Sequence, residues 1–164
     1  MNKKEIQQRV LQEGKRLALN KFNWCEDTKT FSSKENNLAL DFKDIWGVTF
    51  KAGSYCTFKA GSYCTFKTGS DCTFDTGSGC TFKTWSDCTF DTGSGCTFDT
   101  WSGCTFKTGS GCTFKTGSGC TFNTRNRSVI IRRDVYEVIE IPEGKIIKLN
   151  GYKVKGYKIM DKDN

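Results

Sequence analysis

Apolar side chains between residues 40 and 132 return at a fixed interval of eight. The phenylalanines form one series: Phe42, Phe50, Phe58, Phe66, Phe74, Phe82, Phe90, Phe98, Phe106, Phe114 and Phe122. Two positions ahead of most of them stands a cysteine, at Cys56, Cys64, Cys72, Cys80, Cys88, Cys96, Cys104, Cys112 and Cys120. The unit reads Gly-Ser-x-Cys-Thr-Phe-Lys/Asp-Thr, whole in Gly109-Ser110-Gly111-Cys112-Thr113-Phe114-Lys115-Thr116. A period of eight does not match the 3.6-residue helical repeat; it matches a short strand followed by a tight turn. Alternate side chains of a strand face opposite ways. Ser, Cys, Phe and Thr at the even positions therefore form an inward set, and Gly, x, Thr and Lys/Asp an outward one. Because eight is even, the inward set stays inward from unit to unit. Gly-Ser is expected to make the corner, with glycine taking positive φ. The pattern predicts an all-β fold, a parallel β-solenoid whose core is the phenylalanine and cysteine series.

Substitutions within the repeat point to the size of a coil, since residues stacked in adjacent coils share an environment. Trp85 and Trp101 replace the corner glycine sixteen residues apart, and Asp71 and Asp87 share the variable position at the same spacing. A two-strand coil of sixteen residues is therefore favoured over a triangular coil of twenty-four. Opposite strands then run in opposite directions, and the cysteine position of one is expected to face the phenylalanine position of the other. Aliphatic variants at Leu40 and Val48 open the array and Ile130 continues it, which gives a solenoid over residues 40–132.

An open solenoid needs covering at both ends. Asn2-Lys3-Lys4-Glu5 has the form of a capping box, and Ile6, Val10, Leu11 and Leu17 follow at helical spacing. These predict a helix over about residues 3–13 within an N-terminal cap of residues 1–39, with strand and turn in the rest. Residues 133–164 predict a C-terminal antiparallel cap: a β-branched stretch from Val135 to Ile141, a turn at Pro142–Lys145, and a hairpin about Asn150-Gly151 pairing Ile147–Leu149 with Tyr152–Val154.

Composition narrows the chemistry. The chain of 164 residues has no histidine, so the commonest general base and metal ligand are missing. No nucleophile has a nameable base and no phosphate-cradling motif occurs; the expectation is a non-enzyme with no catalytic residues, metal or cofactor. Evenly spaced cysteines read first as stacked, reduced, buried thiols, with disulfides as the alternative. Cys25, outside the series, is expected to be inert. No apolar run suits a membrane-spanning helix or a signal peptide, so neither membrane nor secretion is expected.

Net charge is +7, yet residues 40–124 hold seven lysines and seven aspartates. A neutral array argues against nucleic acid tracking along the solenoid. The basic excess lies at the ends, and Arg125, Arg127, Arg132 and Arg133 form a candidate anion site. Their alternative role is to pair with Asp134, Glu137 or Glu140. Trp85, Trp101, Tyr55 and Tyr63 are the candidate partner surface, protein or carbohydrate, or else tolerated turn residues.

From Cys56-Thr57-Phe58-Lys59 onward, together with Ser128-Val129-Ile130-Ile131-Arg132-Arg133-Asp134-Val135-Tyr136-Glu137-Val138-Ile139-Glu140, the chain resembles octapeptide-repeat proteins of uncharacterised role in bacteriophages and gut bacteria. The resemblance implies a β-solenoid of phage origin, in the bacterial cytoplasm or the virion, and brings no activity with it. The expected role is a rigid scaffold or interaction module that meets a protein partner, or itself through its caps. A phage effector that binds a nucleotide or a host defence protein through the basic end is the second reading. Ice or surface binding is the third, weakened because the outward threonine is followed two residues on by Lys or Asp.

Overall fold

The computed structural model describes residues 1–161 and is a two-sided β-solenoid. It opens with α1 (Lys3–Gln7), β1 (Val10–Gln12), β2 (Lys15–Arg16), a 3-10 turn (Leu19–Lys21), β3 (Phe22–Cys25) and β4 (Thr30–Ser33). Then come β5 (Leu38–Phe42), β6 (Thr49–Lys51), β7 (Thr57–Ala60), β8 (Thr65–Lys67), β9 (Thr73–Thr76), β10 (Thr81–Lys83) and β11 (Thr89–Thr92). The array closes with β12 (Thr97–Asp99), β13 (Thr105–Thr108), β14 (Thr113–Thr116), β15 (Thr121–Thr124) and β16 (Val129–Arg132). The last strands are β17 (Glu137–Glu140), β18 (Ile146–Leu149) and β19 (Tyr157–Met160).

Successive octads alternate between two sheets. One sheet runs β19-β18-β15-β13-β11-β9-β7-β5-β1-β2 and will be called the first; the second runs β17-β16-β14-β12-β10-β8-β6-β4-β3. Parallel pairs inside the array keep a register of sixteen, as in Phe82↔Phe98 and Phe90↔Phe106. Parallel stacking starts earlier than the repeat itself: Phe31 pairs with Phe50 and Leu40 with Phe58, intervals of nineteen and eighteen. The extra residues are taken up in the turns between β4, β5, β6 and β7, which is why the eight-residue rhythm conceals this first coil.

The interior differs from expectation in one respect. Phenylalanine faces phenylalanine, not cysteine. Phe82 stacks on Phe98 at 4.9 Å and 4°, and meets Phe90 of the opposite sheet edge-on at 5.1 Å and 75°. The ring occupies the middle of each three- or four-residue strand, so the two strand centres coincide across the core. Cysteine, one residue before the strand begins, is left at the corner, where its small volume fits. There the Cys88 thiol donates to the carbonyls of Ser86 at 3.5 Å and Gly69 at 3.6 Å, with Thr84 within reach. All nine repeat cysteines are buried and every cysteine is a free thiol.

The corner also departs from expectation. Left-handed backbone falls on the third position of the octad: Tyr55, Tyr63, Asp71, Asp87 and Arg127 have φ between 56° and 59°. The first-position glycine instead leaves room for the serine hydroxyl of the preceding coil. A Cβ on Gly69 would lie 2.1 Å from Ser54 Oγ, and one on Gly77 2.2 Å from Ser62 Oγ. That serine is only partly inward. Its hydroxyl accepts from the amide of the serine one coil on: Ser54 from Ser70, Ser62 from Ser78, Ser78 from Ser94 and Ser94 from Ser110, at 3.0–3.1 Å.

Both caps are antiparallel. The Asn2 capping box forms, with Asn2 Oδ1 accepting from Lys4 and Glu5 and Glu5 Oε2 accepting from the Asn2 amide. The predicted helix nevertheless ends at Gln7. Val10–Gln12 is a strand that pairs with Leu38–Phe42, because the open edge of the first sheet needs a partner. Glu13 and Gly14, both at positive φ, turn it into β2. Ile6, Val10 and Leu17 are buried as expected, whereas Leu11 points outward by strand alternation.

At the other end β17 pairs with β16 and β18 with β15. The predicted hairpin about Asn150-Gly151 does not form. Tyr152–Val154 belong to a loop over residues 150–156, and the partner of β18 is Tyr157–Met160, with Ile147 opposite Ile159. Arg132 is the cause, as its buried guanidinium gathers that loop's carbonyls. The last three residues of the expected 133–164 cap lie outside the described residues.

Candidate functional site

The repeat has two corners, one joining the second sheet to the first and one joining the first to the second. Position one of the former is occupied in order by Gly53, Gly69, Trp85, Trp101 and Gly117, and Arg133 follows in the same register where the chain turns back from β16 into β17. The indoles of Trp85 and Trp101 stack at 6.2 Å and 22°, and both are more than half exposed. Arg133 reaches back over the side-chain-free Gly117 to place its guanidinium 5.5 Å from the Trp101 ring centre, and pairs with Asp99. Trp101 is thus covered on one face by Trp85 and on the other by a cation.

The tryptophans displace a structural bond. A side chain at position one falls on the hydroxyl of the preceding serine, as the Gly69 geometry shows. Ser86 and Ser102, which follow the two tryptophans, lack the amide-to-serine bond made at Ser70, Ser78, Ser94 and Ser110. Ser118 also lacks it, its hydroxyl facing Ser102 Oγ at 3.5 Å. A net contribution of about 0.5–1.5 kcal/mol is forgone at each such bond.

The structure does not bring the four aromatic candidates together. Tyr55 shares the tryptophan corner but lies two coils before Trp85, while Tyr63 is at the opposite corner, its ring over Gly79. The four arginines also separate. Arg125 and Arg127 are exposed at the Tyr63 corner. Arg132 is fully buried: it donates to Asp134 at 2.7 and 3.2 Å and to the Val154, Gly151, Asn150 and Gly156 carbonyls, with Glu137 at 3.7 Å. It holds the cap and presents nothing to a ligand. Arg133 is engaged by Asp99 and Trp101.

The charge on the array is sorted by sheet. Position seven of the second sheet reads Lys51, Lys67, Lys83, Asp99 and Lys115 in parallel register. The first sheet reads Asp41, Lys59, Asp75, Asp91 and Lys107, with Lys107 bonded to Asp91 at 2.8 Å. Alternate octads go to alternate sheets, so a neutral count conceals one basic and one slightly acidic face. Sequence reasoning missed the basic row because it summed over both.

Hydrogen bonding along the cysteine columns pushes some corner thiols up and others down: the bond to Cys80 holds Cys64 down to about 7, and the bonds to Cys56 and Cys104 lower Cys72 and Cys120. A hydrogen bond to Cys120, with burial adding to it, pushes Cys104 up to about 12, and the bond to Cys96 followed by burial raises Cys112 further. Cys25 is exposed, and hydrogen bonding from Thr28 holds its thiol below the ordinary value. Among the described residues no three His, Cys, Asp or Glu side chains converge as a metal site, and no helix is long and apolar enough to cross a membrane. No family model, curated protein or solved structure matches the chain.

Proposed function

We propose that the protein is a non-enzymatic interaction module: a capped rod of fixed register that displays a contact surface at its tryptophan corner. The observation that carries this reading is the stacked Trp85–Trp101 pair, exposed in place of the repeat's glycine at the expense of the serine bonds beside it. Large exposed aromatics set on a rigid scaffold suit recognition, and places where a sequence breaks its own local rule are where functional positions are expected. The buried thiols and interlocked rings serve the rod. Arg132 is committed to the C-terminal cap, which disfavours an effector acting through that end. The resemblance to phage and gut-bacterial octapeptide-repeat proteins supports a bacterial or virion setting.

The test is hydroxyl-radical footprinting of the purified rod against the same rod in extract of the cell that produces it. Protection of Trp85 and Trp101 in extract, with Trp46 unchanged, is the expected result. Equal oxidation of the pair in both states overturns the reading.

A further inference from the structure

Trp101 has both faces covered, but Trp85 has one. Its far face looks along the rod over Gly69 and Gly53, neither of which carries a side chain. A side chain at either would have to displace the group beneath it: a Cβ on Gly53 would lie 2.0 Å from Asn36 Oδ1 and 2.7 Å from the Glu35 carbonyl, and one on Gly69 2.1 Å from Ser54 Oγ. The two glycines leave a slot open against an exposed indole. Trp85 remains 62% exposed, against 51% for Trp101.

What borders the slot follows from the stack on Trp101. Arg133, lying on that ring, touches Asp99, which stands two residues before Trp101 at position seven of the octad. A planar group resting on an indole at this corner is therefore within reach of the position-seven side chain. For Trp85 that neighbour is not an aspartate. It is Lys83 on its own coil and Lys67 on the coil of Gly69, with Lys51 one coil further. All three are exposed, and among the described residues none takes part in an ion pair. Like charges directly beside one another on neighbouring strands are destabilising. On the opposite flank Asp71 follows Gly69 by two residues and offers an acceptor.

Two locally unfavourable features thus meet at one place: an indole that displaces a serine bond, and a row of uncompensated lysines. We propose that a nucleobase stacks on the free face of Trp85 while its phosphate is held by Lys67 and Lys83, with Asp71 facing the base or sugar donors. The inference rests on the tryptophan corner being a contact surface and names what contacts it. It also revises the expectation that the solenoid avoids nucleic acid, because that expectation used the summed charge of both faces. A base on an aromatic side chain and a phosphate on lysines are together the chemistry of single-strand binding. A free nucleotide presents the same two groups.

The experiment is fluorescence titration of the full chain with AMP, with a ten-residue oligoadenylate and with a hexuronate oligosaccharide, at several salt concentrations. Wild type, Trp85→Gly and Lys67→Gln/Lys83→Gln are compared. Trp85→Gly restores the repeat's own residue and is expected to fold, which a thermal melt checks. Oligoadenylate affinity should fall about tenfold or more in Trp85→Gly. The salt dependence should become shallower by about 1.4 in log–log slope when the two lysines are removed. AMP binding as tightly as the oligomer assigns the site to a free nucleotide, and a gain with length assigns it to a strand; both support the proposal. Undiminished binding by a folded Trp85→Gly, no binding of either adenylate, or preference for the uronate overturns it. Protection of the pair in extract together with any of those three results would sink this inference alone and leave the contact surface standing.

Discussion

Phe82 and Phe90 cross at the centre of the rod, centroids 5.1 Å apart and planes at 75°. Each ring also lies flat on its own column, so Phe90 touches Phe74, Phe82, Phe98 and Phe106. Offset-stacked and edge-to-face contacts are the two favoured aromatic geometries, and the solenoid uses both from Phe58 to Phe114. Phe90→Ala is expected to lower stability by about 3–5 kcal/mol in urea unfolding. A loss below about 1 kcal/mol would mean that the neighbouring rings close the gap.

The two kinds of corner glycine should respond differently to alanine. At Gly77 the new Cβ meets Ser62 Oγ at 2.2 Å and Ser62 N at 2.9 Å, so the serine backbone must move. Overpacking of this kind costs about 1–3 kcal/mol. At Gly95 nothing lies within 4 Å, but φ is +68°, and the penalty is backbone strain of about 1–2 kcal/mol. Gly95→Asn should recover much of that, because asparagine tolerates the left-handed region; Gly77→Asn should not. Denaturant midpoints of the four variants check this.

How much of this was legible varies along the chain. The octad and the pairs at sixteen, such as Trp85 with Trp101, were sufficient for the two-strand coil, because a strict even period admits few foldings. What Phe90 faces was not legible: alternation assigns it to the interior but says nothing of how opposite strand centres align. The left-handed position was obscured in part, since Tyr55 and Tyr63 give no turn signal by type, although Asp71, Asp87 and the glycines at the same position do. At the N-terminus Glu13-Gly14 was the missed cue for a two-residue turn, overridden by apolar residues that happened to suit a helix. At the C-terminus Asn150-Gly151 suggested a tight hairpin that the demands of a buried guanidinium replaced with a loop. The candidate surface was legible residue by residue as Trp85 and Trp101. Its lysine border was not, because Lys67 and Lys83 become neighbours only once odd and even octads separate.

Arg132 and Arg133 are adjacent in sequence and opposite in consequence. Removing Arg132 leaves Asp134, nearly buried, and the carbonyls of the 150–156 loop without their donor. Arg132→Met should cost about 3–5 kcal/mol, with faster amide exchange concentrated at the C-terminal cap. Arg133→Ala removes a partly exposed pair and should cost below about 1 kcal/mol. Equal losses would refute the assignment of Arg132 as the clamp.

The Cys104 thiol predicts a contribution to stability that is lost at high pH. Cys104 is raised to about 12 by its hydrogen bond to Cys120 and by burial, while in the unfolded chain it titrates near 8.5. Below that lower value both states carry the proton and the contribution is present in full. Between about 8.5 and 12 the folded state binds more protons, so stability declines as pH rises. Urea midpoints at pH 7, 9 and 10.5 should drop more steeply for wild type than for Cys104→Ala. Parallel curves would show that this thiol ionises without opening the rod.

The N-terminal cap lays β1 on the first sheet and β3 on the second, and the C-terminal cap returns β18 to the first and β17 to the second. Chain length is thereby quantised. Excising sixteen residues, 77–92 for instance, returns each terminus to its own side and shortens the particle by one strand spacing of about 4.8 Å. Excising eight would exchange left for right and present each closing hairpin to the wrong neighbour, so viable length variants should differ by even numbers of octads.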